Sequence, residues 1–201
     1  MSARRLALLV TLAAMLGGCA GASGLAVRYP EAGANRALLA SVTSRRVEIR
    51  PVADARLDTT RIGTRPKDGT NIVTERPVAD IVGEALAVEV AKNGHTVAVA
   101  PSEVVLATDV EEFWLDTVRG YGSTQYVGKV AFSVTVLDGR TGDRLATRRY
   151  VGIKRRQVDT ASDDVAREVM DAALARSMRD LATDPAFVNA FAGVTTAAAP
   201  R

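Results

Sequence analysis

The sequence holds one cysteine, one histidine and one tryptophan, and aromatic residues make up only 4% of it. A single cysteine closes no disulfide within the chain and supplies neither a CxxC redox pair nor a thiolate metal site. A single histidine, His95, forms no His-based zinc set. Any Ser–His or Cys–His nucleophile system would have to use it. A dominant charge is also missing. Lys and Arg number 26 against 23 Asp and Glu, and the first two arginines, Arg4 and Arg5, precede an apolar stretch that reads as a leader. Without that leader the balance is 24 to 23, or +1. Near-neutrality and few aromatics argue against nucleic acid as a partner. The glycines between Gly120 and Gly128 are followed by no lysine in P-loop order and open no helix, so no phosphate cradle is expected. No cofactor and no metal are expected. Finally, no uncharged run approaches the roughly 20 apolar residues of a spanning helix.

What is present organises itself around Leu16-Gly17-Gly18-Cys19. Arg4 and Arg5 form a basic start, and Leu6 to Leu16 is an apolar run without charge, the length of a cleaved signal. Gly17 and Gly18 leave room for a peptidase before Cys19. The four residues resemble a bacterial lipobox, in which the cysteine thiol receives a diacylglyceryl group and the new amino terminus is acylated. One acyl chain holds a protein marginally at about 0.8 kcal/mol per buried CH₂, whereas two anchor it stably. Residues 1–18 are therefore expected as signal peptide, 19–40 as a lipidated tether rich in Ala and Gly, 41–192 as the globular domain and 193–201 as a disordered tail. Acyl chains on Cys19 make the membrane a partner. Ala20, in place of aspartate, points to the outer membrane under the enteric sorting scheme. Oligomeric state is left open.

Within the domain, Val47 and Ile49 alternate with charged residues and predict a strand ended by Pro51. Residues 54–74 are polar and predict a long loop. From Thr74 to Asn93, Val78, Ile81, Val82, Ala85, Leu86 and Val90 recur at helical spacing, and Asn93-Gly94 supplies a stop. Asp80, Glu84 and Lys92 are expected to face away from the core. Leu106, Val110 and Trp114 fall at even spacing on an extended segment. Val130, Phe132, Val134 and Val136 give the clearest alternation, and Asp138 to Asp143 reads as a hairpin turn into a return strand, 145–156. Ser162 caps a last long helix with Asp163 and Asp164 in its first turn, and Asp184-Pro185 stops it. The expected fold is α+β: a mainly antiparallel sheet with a meander in its C-terminal half and two amphipathic helices on one face.

Few constellations carry chemistry. His95, after the helix stop, reads as a solvated turn residue. Glu111 and Glu112 are adjacent on a strand, so they should point to opposite faces and not converge. Asp163-Asp164 is explained by the helix start. The return hairpin is rich in Arg and Lys. Arg144, Arg148, Arg149 and Arg155 are the candidates for contact with an anionic envelope partner, whether protein, glycan or lipid. The competing reading is a solvated edge guarded against aggregation. Arg144, Arg148 and Lys154 share strand parity and should project from one face unless a bulge intervenes. Trp114, Tyr121 and Tyr126 bracket a Gly-containing turn and read as core and turn packing.

Tyr126-Val127-Gly128-Lys129-Val130-Ala131-Phe132-Ser133-Val134, the Gly139 to Gly142 turn, Tyr150 on the return strand and the helix end Met178-Arg179-Asp180-Leu181-Ala182-Thr183-Asp184 resemble the YajG-like family of uncharacterised envelope lipoproteins. The resemblance implies an envelope location and brings no reaction or catalytic residues. The expectation is a membrane-anchored, non-catalytic binding or structural module in the periplasm. The alternative is an auxiliary lipoprotein subunit of an envelope lipid or solute transport system. The competing class is a hydrolase of envelope polymers.

Overall fold

The computed structural model describes residues 24–30, 37–65 and 67–194. Its strands are β1 (Arg46–Ile49), β2 (Ala53–Asp54), β3 (Gly63–Thr64), β4 (Asn71–Ile72), β5 (Thr96–Val97), β6 (Val104–Arg119), β7 (Thr124–Asp138) and β8 (Arg144–Val158). Its helices are α1 (Val78–Lys92), α2 (Asp163–Thr183) and α3 (Pro185–Ala192). The eight strands form one open mixed sheet. β6, β7 and β8 are an antiparallel meander. The other edge of β6 takes β1, β2 and β3 in turn, each parallel to it. β5 extends the sheet beyond β1, and β4 beyond β3.

The meander buries the even positions of β7, from Tyr126 through Val130, Phe132, Val134 and Val136, under the helices. α2 lies across β7 and β8, α1 lies over β1 and β6, and the two helices touch. Both helices thus cover one face, and the other face of the meander is open. Gly152 sets how closely α2 approaches. A Cβ there would stand 1.9 Å from the carbonyl oxygen of Ala173, so only glycine fits. Ser162 Oγ accepts from the Val165 N–H at 3.3 Å and caps α2. Asp184 caps α3 through the Ala186 N–H at 2.9 Å.

Several local expectations are corrected. The polar stretch 54–74 is not one loop: it holds β3 and β4, a short antiparallel pair docked on Leu115 of β6. A bulge lies between Val110 and Glu112. Val110 points into the core, and beyond the bulge Phe113 and Leu115 do so instead, which turns Trp114 to the open face. Leu25, Val27 and Leu39 fall in the stretch expected as tether, yet their side chains are core. Val194, in the stretch expected as tail, is buried too. Leu25 pairs in parallel with Thr74 and lengthens the small pair by one bridge.

Candidate functional site

Cys19 lies outside the described residues. The chain that follows it is fastened from Gly24 onward. The Leu25 N–H donates to the Val73 carbonyl at 2.7 Å. The Arg28 N–H donates to Asp171 of α2 at 2.8 Å. The Tyr29 hydroxyl donates to Glu89 of α1. Glu89 is fully buried, and Lys92 Nζ stands 2.8 Å from its carboxylate. Asn93 Nδ2 donates to it at 3.0 Å. Burial and the Glu89 charge together push the Tyr29 hydroxyl well above its ordinary range. Lys92 therefore does not face away from the core as expected; its ammonium closes this network, 4.9 Å over the Tyr29 ring. Sequence reasoning passed over Glu89, whose signal was an acid on the inner side of α1 beside Val90.

His95 is likewise not a solvated turn residue. It is 4% exposed. Its Nδ1 accepts from the Arg45 N–H at 3.2 Å, which leaves the proton on Nε2 to donate to the Leu39 carbonyl at 3.2 Å. Its ring packs on Phe191 at 4.7 Å. Burial lowers its pKa, so the neutral form is preferred. Both ring nitrogens are occupied by backbone, and neither is left to serve as a base.

The bulge has a chemical consequence. It places Glu111 and Glu112 on the same open face rather than on opposite faces, next to a shallow cleft of about 510 Å³ that Leu57, Asp58 and Trp114 also line. Each carboxylate is matched by a donor or a cation. Glu111 accepts from Ser133 Oγ and from Arg149, which together hold its pKa below the usual carboxylate range. Glu112 meets Lys129 at 2.7 Å. Trp114 Nε1 donates to Asp116 at 2.8 Å, and the Arg61 guanidinium sits 5.6 Å over the Trp114 ring. A general acid for glycoside or ester cleavage needs a carboxyl pushed up by burial. Glu111 is pushed the other way.

The basic residues of β8 do not form one face. A second irregularity, between Val136 and Leu137 of β7, shifts the register so that Arg144 faces Leu137 while Arg148 faces Val134. Arg144 consequently joins Arg149 and Arg155 on the open face, and Arg148 and Lys154 lie on the helix side. This overturns the shared face expected for Arg144, Arg148 and Lys154. Arg148 Nε reaches Asp184 at 3.0 Å, Arg149 pairs with Glu111 and Arg156 with Glu168. Arg144 and Arg155 have no carboxylate partner among the described residues. Of the three aromatics expected in packing, Tyr126 is buried, Trp114 is half-buried and Tyr121 is fully exposed. Among the described residues no group of His, Cys, Asp and Glu is arranged to hold a metal, and no helix is long and apolar enough to cross a membrane.

No family model matches the sequence, and no curated protein does. Solved structures do resemble the fold. Protein XCC0632 from Xanthomonas campestris, described under the family model DUF330, superposes with a TM-score of 0.54 at 17% identity over 75% of this chain and 86% of its own. The minor lipoprotein from Acinetobacter baumannii gives 0.40 at 12% identity over 70% and 92%. The PelC dodecamer from Paraburkholderia phytofirmans gives 0.32 at 17% identity over 66% and 88%. The first of these shares the chain's fold; at these identities the likeness extends no further.

Proposed function

We propose that this chain is an envelope lipoprotein, anchored through acyl chains on Cys19, whose α+β domain works in the periplasm as a non-catalytic binding or structural module. The observation that carries the reading is Leu16-Gly17-Gly18-Cys19 at the end of a charge-free run behind Arg4 and Arg5. The state of the polar groups supports the second half. The histidine is occupied by backbone on both nitrogens, and the open-face carboxylates are matched by Arg, Lys, Ser and Trp donors. Nothing in that arrangement stores a nucleophile or a raised-pKa acid.

The open face of the meander favours an accessory role. β6, β7 and β8 present a broad surface with Val127, Val151, Ile153 and Trp114 between charged pairs, and Arg144 and Arg155 add free positive charge for an anionic partner. A subunit of an envelope lipid or solute transporter would use such a face against its membrane partner. Capture of the tagged lipoprotein from detergent-solubilised envelopes tests this. A stoichiometric integral-membrane protein that is lost with Arg144→Glu and Arg155→Glu supports the accessory role. Recovery of the lipoprotein alone, from intact acylated material, rejects it and leaves a module that binds glycan or lipid. Outer-membrane placement, suggested by Ala20, is tested by density separation of the two membranes.

A further inference from the structure

We infer that the domain stands on the bilayer with the β6–β7 turn downward, so that Tyr121 and Val118 enter the headgroup layer beside Arg119 and Lys67. The inference rests on acylation of Cys19 as proposed above.

The length of free chain is the first argument. The polypeptide is fixed at Leu25 by backbone bonds to Val73 and Glu75, and a Cβ on Gly24 would lie 2.5 Å from the Glu75 nitrogen. Arg28 and Tyr29 then tie the segment to α2 and α1. Five peptide links separate Cys19 from Gly24. Fully extended, they reach at most about 18 Å. The domain is held close to its lipid, unlike one on a leash of twenty residues.

Direction is the second argument. β3 runs parallel to β6, β4 antiparallel to β3, and Leu25 parallel to the continuation of β4 at Thr74. The chain passing through Gly24 therefore runs opposite to β6. It arrives from the end of the sheet where β6 turns into β7. Ile72 is in register with Gly63 and Gly63 with Leu115, so Gly24 lies near the level of Leu115. From there to Gly120 is five residues, about 17 Å of strand. The stretched leash and the overhanging hairpin have nearly equal lengths. Acyl chains seated in the bilayer bring its surface up to the turn.

The chemistry of that turn suits the layer it meets. Tyr121 is 109% exposed and Val118 56%, and neither has a neighbour to pack on. Arg119 and Lys67 are exposed beside them and line a shallow cleft of about 370 Å³ with Gly120 and Gly122. An aromatic body with a polar tip, flanked by long basic side chains, is the composition that settles at a membrane–water interface. The basic groups add attraction to anionic headgroups.

The test uses the full acylated chain in phosphatidylethanolamine–phosphatidylglycerol vesicles. Cys19 is the only native cysteine and is consumed by the lipid, so a single introduced thiol can carry an environment-sensitive nitrobenzoxadiazole label. The label is placed by Tyr121→Cys, by Val118→Cys or, in the turn at the opposite end of the meander, by Thr141→Cys. Labels at 121 and 118 should emit to the blue and be quenched by headgroup nitroxide lipids, and the label at 141 should do neither. Inserting about 20 Gly/Ser residues after Ala22 lengthens the leash; it should weaken the quenching at 121 while co-sedimentation persists. Aqueous emission at both 118 and 121 in co-sedimenting protein, or quenching at 141 instead, would overturn the orientation. Protein that carries no fatty acid and stays in the supernatant overturns the lipid anchor itself, and sedimentation shows this before any fluorescence is read.

Discussion

Glu89 is the most consequential single side chain in the described domain. A fully buried carboxylate persists because Lys92, Tyr29 and Asn93 all address it. Glu89→Ala leaves the Lys92 ammonium and the Tyr29 hydroxyl facing an apolar gap. Such losses cost about 3–5 kcal/mol when both partners are buried, and partial exposure of Lys92 places this one near the lower end. Tyr29→Phe removes one bond to a charged acceptor and should cost about 1.5–3 kcal/mol. Urea melts of both variants check the order. His95 gives a prediction of a different kind. Its folded-state pKa is lowered from 6.5 by burial, so the unfolded chain binds the extra proton first. Stability should therefore be complete above about pH 7 and fall as pH drops through 6.5 toward the lower folded value. Urea midpoints at pH 7.5 and 5.5 measure it. His95→Gln should be less stable at pH 7.5 but should lose most of that difference between the two pH values. These residue-level features were largely illegible beforehand. Glu89 sits in an apolar helix face whose periodicity does not reveal its partner, and the burial of His95 depends on Phe191, nearly a hundred positions away.

The elements themselves were readable wherever a repeat of 3.6 or 2 ran uninterrupted. α1 follows its apolar stripe, with Val78, Ile81, Val82, Ala85, Leu86 and Val90 buried as the spacing implies. Leu86→Ala should cost about 2–5 kcal/mol, against about ±0.5 for Asp80→Ala on the exposed side. Equal effects from the two changes in a denaturant series would contradict the placement of the helix. The alternation in β7 and the Ser162 start of α2 were equally legible. What the pattern could not reveal was a single extra residue. The bulge after Val110 inverts every later side chain in β6, and the irregularity near Leu137 moves Arg144 to the opposite face from Arg148. Both errors about the candidate site, the separation of Glu111 from Glu112 and the single basic face, come from these two insertions. Gly152 was a missed clue of the opposite sort: a glycine inside a strand often marks close approach. Gly152→Ala drives a methyl into the Ala173 carbonyl and the Ser177 N–H. It should cost at least about 3 kcal/mol through displacement of α2, and loss of soluble folded protein would be consistent with it. A melt unchanged from wild type would not.

At the scale of the whole molecule, fold class followed from the order of elements, and function did not follow from the fold. Layer architecture needs only hydrophobic periodicity, whereas a site needs side chains to converge across registers that bulges and short parallel strands decide. The strands between Ala53 and Ile72 are two residues each, too short to leave a pattern. The early tether, by contrast, contains Leu25 and Val27, whose burial becomes visible only once Thr74 is beside them. That burial shortens the link between lipid and domain and turns an anchor into an orientation. The anchor is the central claim, and the intact mass of the chain purified from native membranes tests it most directly. The account predicts a mature chain that begins at Cys19 and carries the added mass of a diacylglyceryl group with a further amide-linked acyl chain. A mature chain that begins elsewhere, or one that begins at Cys19 without lipid, would contradict it.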